Sequence, residues 1–349
     1  MENQEKQHKR RVRYKGTHPR NYKERYKELQ PEKYPETIEK VIRKGSTPVG
    51  MHISICVKEI LDFLQIQPGQ RGLDATLGYG GHTLEMLKCL KGEGHLYALD
   101  VDTVESAKTK ERLQKLGYGE EILTIKNINF RDIDKVCEEA GKFDFVLADL
   151  GVSSMQIDNP ERGFTYKKEG PLDLRLNQKK GVSAAERLKE VTMEELEGMF
   201  VENADEPYAH EIAEKIFAKL RRGEAIDTTT KLQQIIEEAL KFIPEKERKE
   251  AVKKSCQRTF QALRIDVNSE FEVLYEFMEK LPNVLKEGGR VAILTFHSGE
   301  DRIVKRAFKE LKRAGVYSDI ANDVIRPSAE ECNYNSRAKS TKMRWAIKA

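Results

Sequence analysis

The period of the hydrophobic positions changes several times along the chain. From Ser54 to Leu64, the residues Ile55, Ile60, Leu61 and Leu64 share one face of a helical repeat, and Ser54 stands where an N-cap would sit. Short apolar runs then alternate with amphipathic segments. Gly72–Leu77 predicts a strand, the segment through Cys89 a helix, His95–Asp100 a strand and Thr103–Leu116 a helix. Ile122–Lys126 predicts a third strand, Asp132–Ala140 a helical stretch and Phe143–Asp149 a fourth strand. The last run is apolar nearly throughout, as a parallel strand covered on both faces must be. Strands alternating with helices predict right-handed crossovers and an α/β fold of Rossmann-like, doubly wound type.

That alternation then stops for a long stretch. From Ser183 to Val252 every periodic segment is helical, including Pro207–Leu220 and Lys231–Leu240, and Thr192 with Glu195 forms a capping box ahead of Leu196. A helix through Phe271–Leu285, a turn at Lys286–Gly289 and an apolar strand Arg290–Phe296 resume the earlier pattern. A helix near Asp301–Ala314 and late strands at Val316–Ile325 and Met343–Lys348 follow. The expected organisation is one α/β domain in two pieces, residues 51–154 and 256–349, around an inserted all-helical domain at 155–255. Residues 1–50 form a polar extension carrying several prolines.

With 349 residues the chain can bury a full core, and its net charge of +4 hides an uneven spread. Residues 1–27 hold ten Lys/Arg against Glu2, Glu5 and Glu24, a balance of +7, so the remainder carries −3. Tyr14, Tyr22 and Tyr26 interleave with these charges, the pattern of an arm that follows phosphates and stacks on bases. A solvated tail is the plainer alternative. The run from Asn335 to Ala349 contains Arg337, Lys339, Lys342, Arg344 and Lys348 without an acid, and predicts a second strip facing RNA. Arg258 and Arg264, near the end of the helical block, are candidates for an RNA or domain-interface contact, or for ion pairs on a helix surface. Five scattered cysteines without a Cys-x-x-Cys pair point away from a metal site and from disulfides. No apolar signal region or membrane-length run occurs, so the expectation is a cytoplasmic protein with no membrane partner.

The turn "LDATLGYGGHT" places Asp74 on the first strand and Gly78, Gly80 and Gly81 before a helix whose free N–H groups face a ligand. Asp100 ends the second strand 22 residues after Gly78, where an acid accepts ribose hydroxyls. Thr83 stands where a dinucleotide fingerprint wants a glycine-like residue, and no P-loop Lys-Ser/Thr follows. The pattern favours S-adenosylmethionine (SAM), which has no pyrophosphate to cradle, over glycines that serve only a tight turn.

In "LADLGVSSMQIDNPERGF", Asp149 ends the fourth strand, on the edge where doubly wound sheets bind ligands. A carboxylate there, facing a methyl donor, suits an exocyclic base amine. The amine lone pair is delocalised into the ring, and acceptors on its N–H groups turn it toward the methyl carbon without a metal. Methylation at carbon 5 of a pyrimidine would need a nearby cysteine, and none lies between Cys137 and Cys256. The plainer role for Asp149 is to cap the next turn. Ser153 and Ser154 leave room for a flat base drawn out of its stack, and Phe164 and Tyr166 stack on it or pack a lid. His297 and Ser298 end the fifth strand, placed to orient the base or the Asp149 loop.

The segments "LDATLGYGGHT", "ADLGVSSMQIDNPERGF", "GPLDLRL", "SAAERL", "RTFQALRIDVNSE", "GGRVAILTFHSGEDRIVKR" and "NSRAKS" together resemble one family, the bacterial 16S rRNA cytosine-N(4) methyltransferases called RsmH or MraW. They run in the family's order from residue 52 to about 345. The resemblance implies SAM-dependent methylation of a decoding-region cytosine, cytosine 1402, in 16S rRNA of the small ribosomal subunit. It places SAM contacts on Gly80, Gly81, His82, Asp100, Phe130, Asp149 and Gln156, with Phe130 covering the adenine. The chain departs from the family at Gly299, where leucine is usual, and at Lys339, where arginine is common. The insert's "ADEPYAHEIA" is more acidic and the arm before His52 longer. These departures predict a divergent branch, a second copy in its host. Other readings of the same residues are methylation of another rRNA or DNA base amine, and a SAM- and RNA-binding assembly factor with little turnover. A homodimer is left open.

Overall fold

A computed structural model describes residues 54–153, 156–157 and 159–349; the extension at 1–50 and Ser154 lie outside the described residues. The chain alternates as expected through α1 (Val57–Leu64), β1 (Arg71–Asp74), α2 (Gly81–Leu90), β2 (His95–Leu99) and α3 (Thr103–Lys115). β3 (Leu123–Lys126), α4 (Ile133–Ala140) and β4 (Phe143–Asp149) complete this half. Five helices follow: α5 (Ala184–Glu190), α6 (Met193–Ala204), α7 (Ala209–Arg221), α8 (Thr229–Ala239) and α9 (Glu245–Asn268). The α/β pattern returns with α10 (Glu270–Val284), β5 (Leu285–Thr295), α11 (Ser298–Arg313), β6 (Tyr317–Ile320), α12 (Ala329–Tyr334) and β7 (Lys342–Lys348).

The seven strands form one sheet in the order β3-β2-β1-β4-β5-β7-β6. β3, β2, β1, β4 and β5 are parallel, whereas β7 runs antiparallel to both its neighbours. β4 shows why the sheet is double-sided. Val146 and Ala148 pack into the core under α4, α10 and α11, while Phe145 and Leu147 pack into the opposite core with α1, α2 and α3. Residues from Phe145 to Ala148 therefore face the two helix layers in alternation, and the strand's polar residues are Asp144 near its start, accepting the Arg71 N–H, and Asp149 at its end.

Several local expectations shift. Ser54 does not cap α1. The N-cap is Cys56, held at φ 56° with no side-chain cap, and its N–H is taken by Glu331 Oε1 at 3.0 Å from α12, 275 residues away. No local pattern encodes such a cap. β1 stops at Asp74 rather than Leu77; the Asp74 carboxylate accepts the Thr76 N–H, while the Ala75 and Leu77 N–H groups still reach the Leu147 and Leu99 carbonyls of the neighbouring strands. The turn expected at Lys286–Gly289 is a bulge within β5: Phe143 pairs with Leu285 and Phe145 already with Arg290. The capping box at Thr192 and Glu195 forms as expected, and Ser183 with Glu186 makes another.

The helical block has its own core, drawn from α5 to α9 with Leu172 and Leu174 in front of them. α9 runs unbroken across 255/256, where the sequence places a boundary, and contributes Cys256, Phe260, Ala262 and Leu263 to that core. α9 and α10 are separated by Ser269 alone, in the left-handed region at φ 49°. Among the described residues no helix is long and apolar enough to cross a membrane.

Gly72 lies in the middle of β1, between β2 and β4. A Cβ there would fall 2.0 Å from two ring carbons of Phe145, which is fully buried and cannot swing aside. Gly72→Ala is therefore expected to destabilise the fold by about 1–3 kcal/mol, as overpacked core positions do, with the loss read from the urea unfolding midpoint.

Candidate active site

The C-terminal ends of β1, β2, β4 and β5 open on the same edge of the sheet, and the chain reverses strand order between β1 and β4. That switch point is where a doubly wound sheet leaves a crevice. Here it is a cavity of about 370 Å³, walled by the loop after β1, Asp100, Phe130, the Asp149 loop, the ends of α9 and α10, and the start of α11.

The cofactor side is shaped by the turn ahead of α2. Gly80 is the N-cap of α2 at φ 72°, and a Cβ on it would sit 2.7 Å from the Thr109 methyl carbon. The turn can press against α3 only as glycine. Asp100 is fixed by two backbone donors, Gly78 N–H on Oδ2 and Asp102 N–H on Oδ1, both at 2.8 Å. Each oxygen keeps a second lone pair for a ribose hydroxyl. Burial pushes the Asp100 carboxyl up to about 6. Phe130 follows β3 and stands edge-on to Phe277, 5.1 Å between ring centres, with its side chain on the cavity. Glycine turn, ribose-holding acid and aromatic cover together suit an adenosine cofactor such as SAM.

Asp149 lies at the centre of the wall. Its N–H is bonded to Thr76 Oγ1 at 2.6 Å, which fixes the backbone where the strand ends. Its Oδ2 faces His82 Nδ1 at 3.4 Å, while His82 Nε2 is bonded to the Ile55 carbonyl at 2.9 Å. Nε2 must donate to that carbonyl, so a neutral ring turns a bare Nδ1 toward the carboxylate. Only a proton between the two makes that contact attractive. Oδ1 is buried and has no hydrogen-bond partner among the described residues. Burial, opposed by His82 and reinforced by the charges of Asp74 and Glu300, pushes the Asp149 carboxyl up to about 6. Asp74 is buried behind it, accepting Thr83 Oγ1–H at 2.6 Å.

The loop after Asp149 is tied back through Gln156. Gln156 Oε1 accepts the Ser153 N–H at 2.9 Å, its own N–H reaches Ser153 Oγ, and Nε2 donates to Asp102 Oδ2 at 3.1 Å. Gln156 thus acts through Asp102, the N-cap of α3, besides lining the cavity. Arg162 Nη1 meets the same oxygen at 2.6 Å, and its Nη2 holds the carbonyls of Arg175 and Leu176. This pair is buried, and the Arg162 guanidinium and the N–H groups of α3 hold the Asp102 carboxyl below its ordinary range despite desolvation.

On the far wall, His297 caps α11, accepting the Glu300 N–H on Nδ1, and its Nε2 lies 3.2 Å from Glu300 Oε1 without hydrogen-bond alignment. Glu300 Oε2 accepts the Phe296 N–H at 2.8 Å. Burial raises this carboxyl, and His297 and Arg264 more than offset it, leaving it lowered. Arg264 is not on an open surface: it lines the cavity and grips Glu270 with Nε and Nη2 at 2.8 and 2.9 Å. Glu270, His297 and Glu300 could jointly offer ligand atoms to a metal, but Glu270 is already engaged on both oxygens by Arg264.

Of the other expected RNA contacts, Arg337 lines the cavity and Lys339 is exposed. Lys342 pairs with Asp301 at 3.3 Å, next to the buried Arg344–Asp301 pair. Arg258 lies half-buried on α9, close enough to Glu206 for its charge to oppose in part the rise that burial gives that carboxyl. Phe164 and Tyr166 pack against the helical core, Tyr166 at 5.5 Å from the Phe260 ring, so neither serves as a platform in this cavity. Asp102, Arg162, Glu270 and Glu300 were not anticipated. Asp102 is readable as a helix cap, but its partners lie 54 and 60 residues away. Gly299, the departure from the family pattern, lies against Phe271, where a Cβ would be 2.5 Å from Cζ.

A doubly wound sheet with an adenosine-shaped crevice and an open carboxylate beside it defines a SAM-dependent methyltransferase. The chain belongs to the MraW methylase family, which it matches over residues 50–349. It is 72% identical over 348 residues to ribosomal RNA small subunit methyltransferase H 1 of Lachnoclostridium phytofermentans, covering 100% of this chain and 95% of that one. It is 66% identical to methyltransferase H 2 of Alkaliphilus metalliredigens, with 100% of both covered, and 39% identical to the unnumbered methyltransferase H of Clostridium botulinum strain Loch Maree, covering 84% and 97%. The two more similar of these relatives carry copy numbers in their names, and the more distant one does not. Likeness to solved structures is remote: an rRNA methylase from Streptococcus thermophilus aligns over 85% of this chain and 99% of its own, at 13% identity and a TM-score of 0.40.

Removing one partner of a buried ion pair strands the other charge. Arg162→Ala is expected to cost about 3–5 kcal/mol in urea unfolding and to weaken SAM binding, because Asp102 then loses its hold on the Gln156 loop. Asp149→Asn has the opposite sign. The folded carboxyl titrates near 6 against an ordinary 3.8, so wild-type stability falls as pH rises between those values. The amide does not ionise, and its N–H satisfies His82 Nδ1. The variant's melting temperature should match wild type near pH 4 and exceed it above pH 6; an equal gap at both would refute the buried-charge account.

Proposed function

We propose that the chain transfers a methyl group from SAM to the exocyclic N4 amine of cytosine 1402 in 16S rRNA of the small ribosomal subunit. The observation that carries this reading is the buried, unpartnered Oδ1 of Asp149 on a cavity that also fits an adenosine. Full-length relatives at 66–72% identity named as small subunit rRNA methyltransferases support it. Gly80, Gly81 and Asp100 hold the cofactor turn and ribose, and Phe130 covers the adenine. SAM, when bound, supplies a methyl carbon on a positively charged sulfur.

The chain's own residues do the rest. Asp149 Oδ1 accepts one N–H of the amine, which rotates the nitrogen lone pair out of conjugation and toward the methyl donor. His82, anchored on Ile55, meets Asp149 Oδ2 across a shared proton and so keeps Oδ1 turned to the amine. As N4 gains its fourth bond it becomes acidic, and Asp149, whose proton affinity is raised by burial, takes the proton. Ser153 and Gln156 hold the loop that leaves space for the flipped base, and His297 fixes the opposite wall through Glu300. The basic arm at residues 1–27, with Arg258, Arg337 and Lys339, supplies phosphate contacts in the cytoplasm, where the subunit resides.

The test is transfer of labelled methyl from SAM to 30S subunits lacking the mark, followed by mapping of the modified nucleotide. Label on cytosine 1402 is expected, and label on any other nucleotide would overturn the substrate assignment. Single-turnover rates should fall as pH drops through about 6, where Asp149 becomes protonated. Asp149→Ala should lower turnover by at least about 1,000-fold while SAM and 30S affinity change far less, since the carboxylate acts mainly as the transition state forms.

A further inference from the structure

Asp149 explains how an amine is held, but a carboxylate alone does not say which base carries it. The far wall of the same cavity holds a group built for that choice. Arg264 grips Glu270 through Nε and Nη2 at 2.8 and 2.9 Å, a two-bond fork that fixes the plane of the guanidinium. Its remaining nitrogen, Nη1, therefore points away from Glu270 and has no hydrogen-bond partner among the described residues. Asn268 beside it is fully committed, its amide donating to the carbonyls of Leu174 and Arg264 and accepting the Leu176 N–H, each at 2.8 Å. Glu300 lies close enough to both Asp149 and Arg264 for its charge to act on each, and all three line the same cavity.

We propose that Arg264 is a specificity-determining residue, its free Nη1 donating to N3 of the target cytosine beside the amine held by Asp149. This rests on the reading of the site as a cytosine-amine methyltransferase. Cytosine presents a donor, the N4–H, next to an acceptor, N3. Asp149 and Arg264 present an acceptor and a donor, in matching order. Uracil reverses both positions, placing O4 against the carboxylate and N3–H against the guanidinium, so it meets two repulsive contacts. The hydrogen bond to N3 also draws electron density from the ring and makes the N4 proton easier for Asp149 to take. A guanidinium clamped before the base arrives loses little freedom on binding it.

Arg264 also spans the α9–α10 kink, so the test must separate reading the base from holding the fold. 30S subunits are reconstituted with cytidine or 3-deazacytidine at position 1402; the second has carbon in place of N3. Single-turnover methyl transfer is compared for wild type, Arg264→Lys and Arg264→Gln, with SAM binding measured calorimetrically for each. The analogue's altered amine affects every enzyme alike and cancels in the ratio. The wild-type preference for cytidine should exceed that of either variant by about 10–100-fold, the worth of one hydrogen bond to a charged donor. A preference unchanged in the variants, with both rates lowered together, marks a structural clamp and overturns the proposal. If the Arg264 variants fail to bind SAM, wild type alone decides: equal single-turnover rates on cytidine and 3-deazacytidine overturn the proposal as well. No transfer by wild type to cytidine-containing subunits would overturn the amine reading itself.

Discussion

The site depends on carboxylates held in a buried crevice with too few cations to balance them. Asp74, Asp100 and Asp149 end neighbouring strands on the same edge of the sheet, and burial raises each of their proton affinities. Asp74 and Asp100 are compensated by hydroxyl and backbone donors that shape the glycine turn. Asp149 is compensated only on one side, by His82, and its other oxygen stays open. A buried polar atom without a partner is destabilising, a cost that fits the proposed role of this oxygen as acceptor of a substrate N–H.

Two arginine–carboxylate pairs fix the rest of the site around that edge. Arg162 with Asp102 ties the loop after β4 to the start of α3, and so links the position of Gln156 to the end of the cavity that holds Asp100. Arg264 with Glu270 spans the break between α9 and α10, where the helical core gives way to the sheet. In both, part of the guanidinium holds protein and part faces another group: the carbonyls of Arg175 and Leu176 in one case, the cavity in the other. Buried ion pairs contribute little net stability when intact, but they fix geometry, because breaking either one leaves a charge unpaired.

Much of the α/β half was legible because a strand covered on both faces must be apolar along its length, and Phe143–Asp149 meets that requirement. The glycine turn and Asp100 were legible because their spacing reflects one local unit, a strand, a turn and a helix. Less was legible where partners are distant in sequence. Ser54 has the chemistry of a cap, yet Glu331 does the capping. Phe164 and Tyr166 have the chemistry of a stacking platform, yet the helical core takes them. Arg264 reads as a surface cation until α10 brings Glu270 against it.

The sequence by itself determined the order of strands and helices, the helical interruption between the fourth and fifth strands, and the acids at the strand ends, since these follow from hydrophobic period and local turn chemistry. The family resemblance, carried by contiguous segments, was equally local. Tertiary structure decided that β7 turns back antiparallel between β5 and β6, that α9 runs on as one helix into the kink before α10, and that Asp149, His82, Glu300 and Arg264 share one cavity. Those outcomes depend on pairings across tens to hundreds of residues, whose energies arise only when burial removes water from both partners at once.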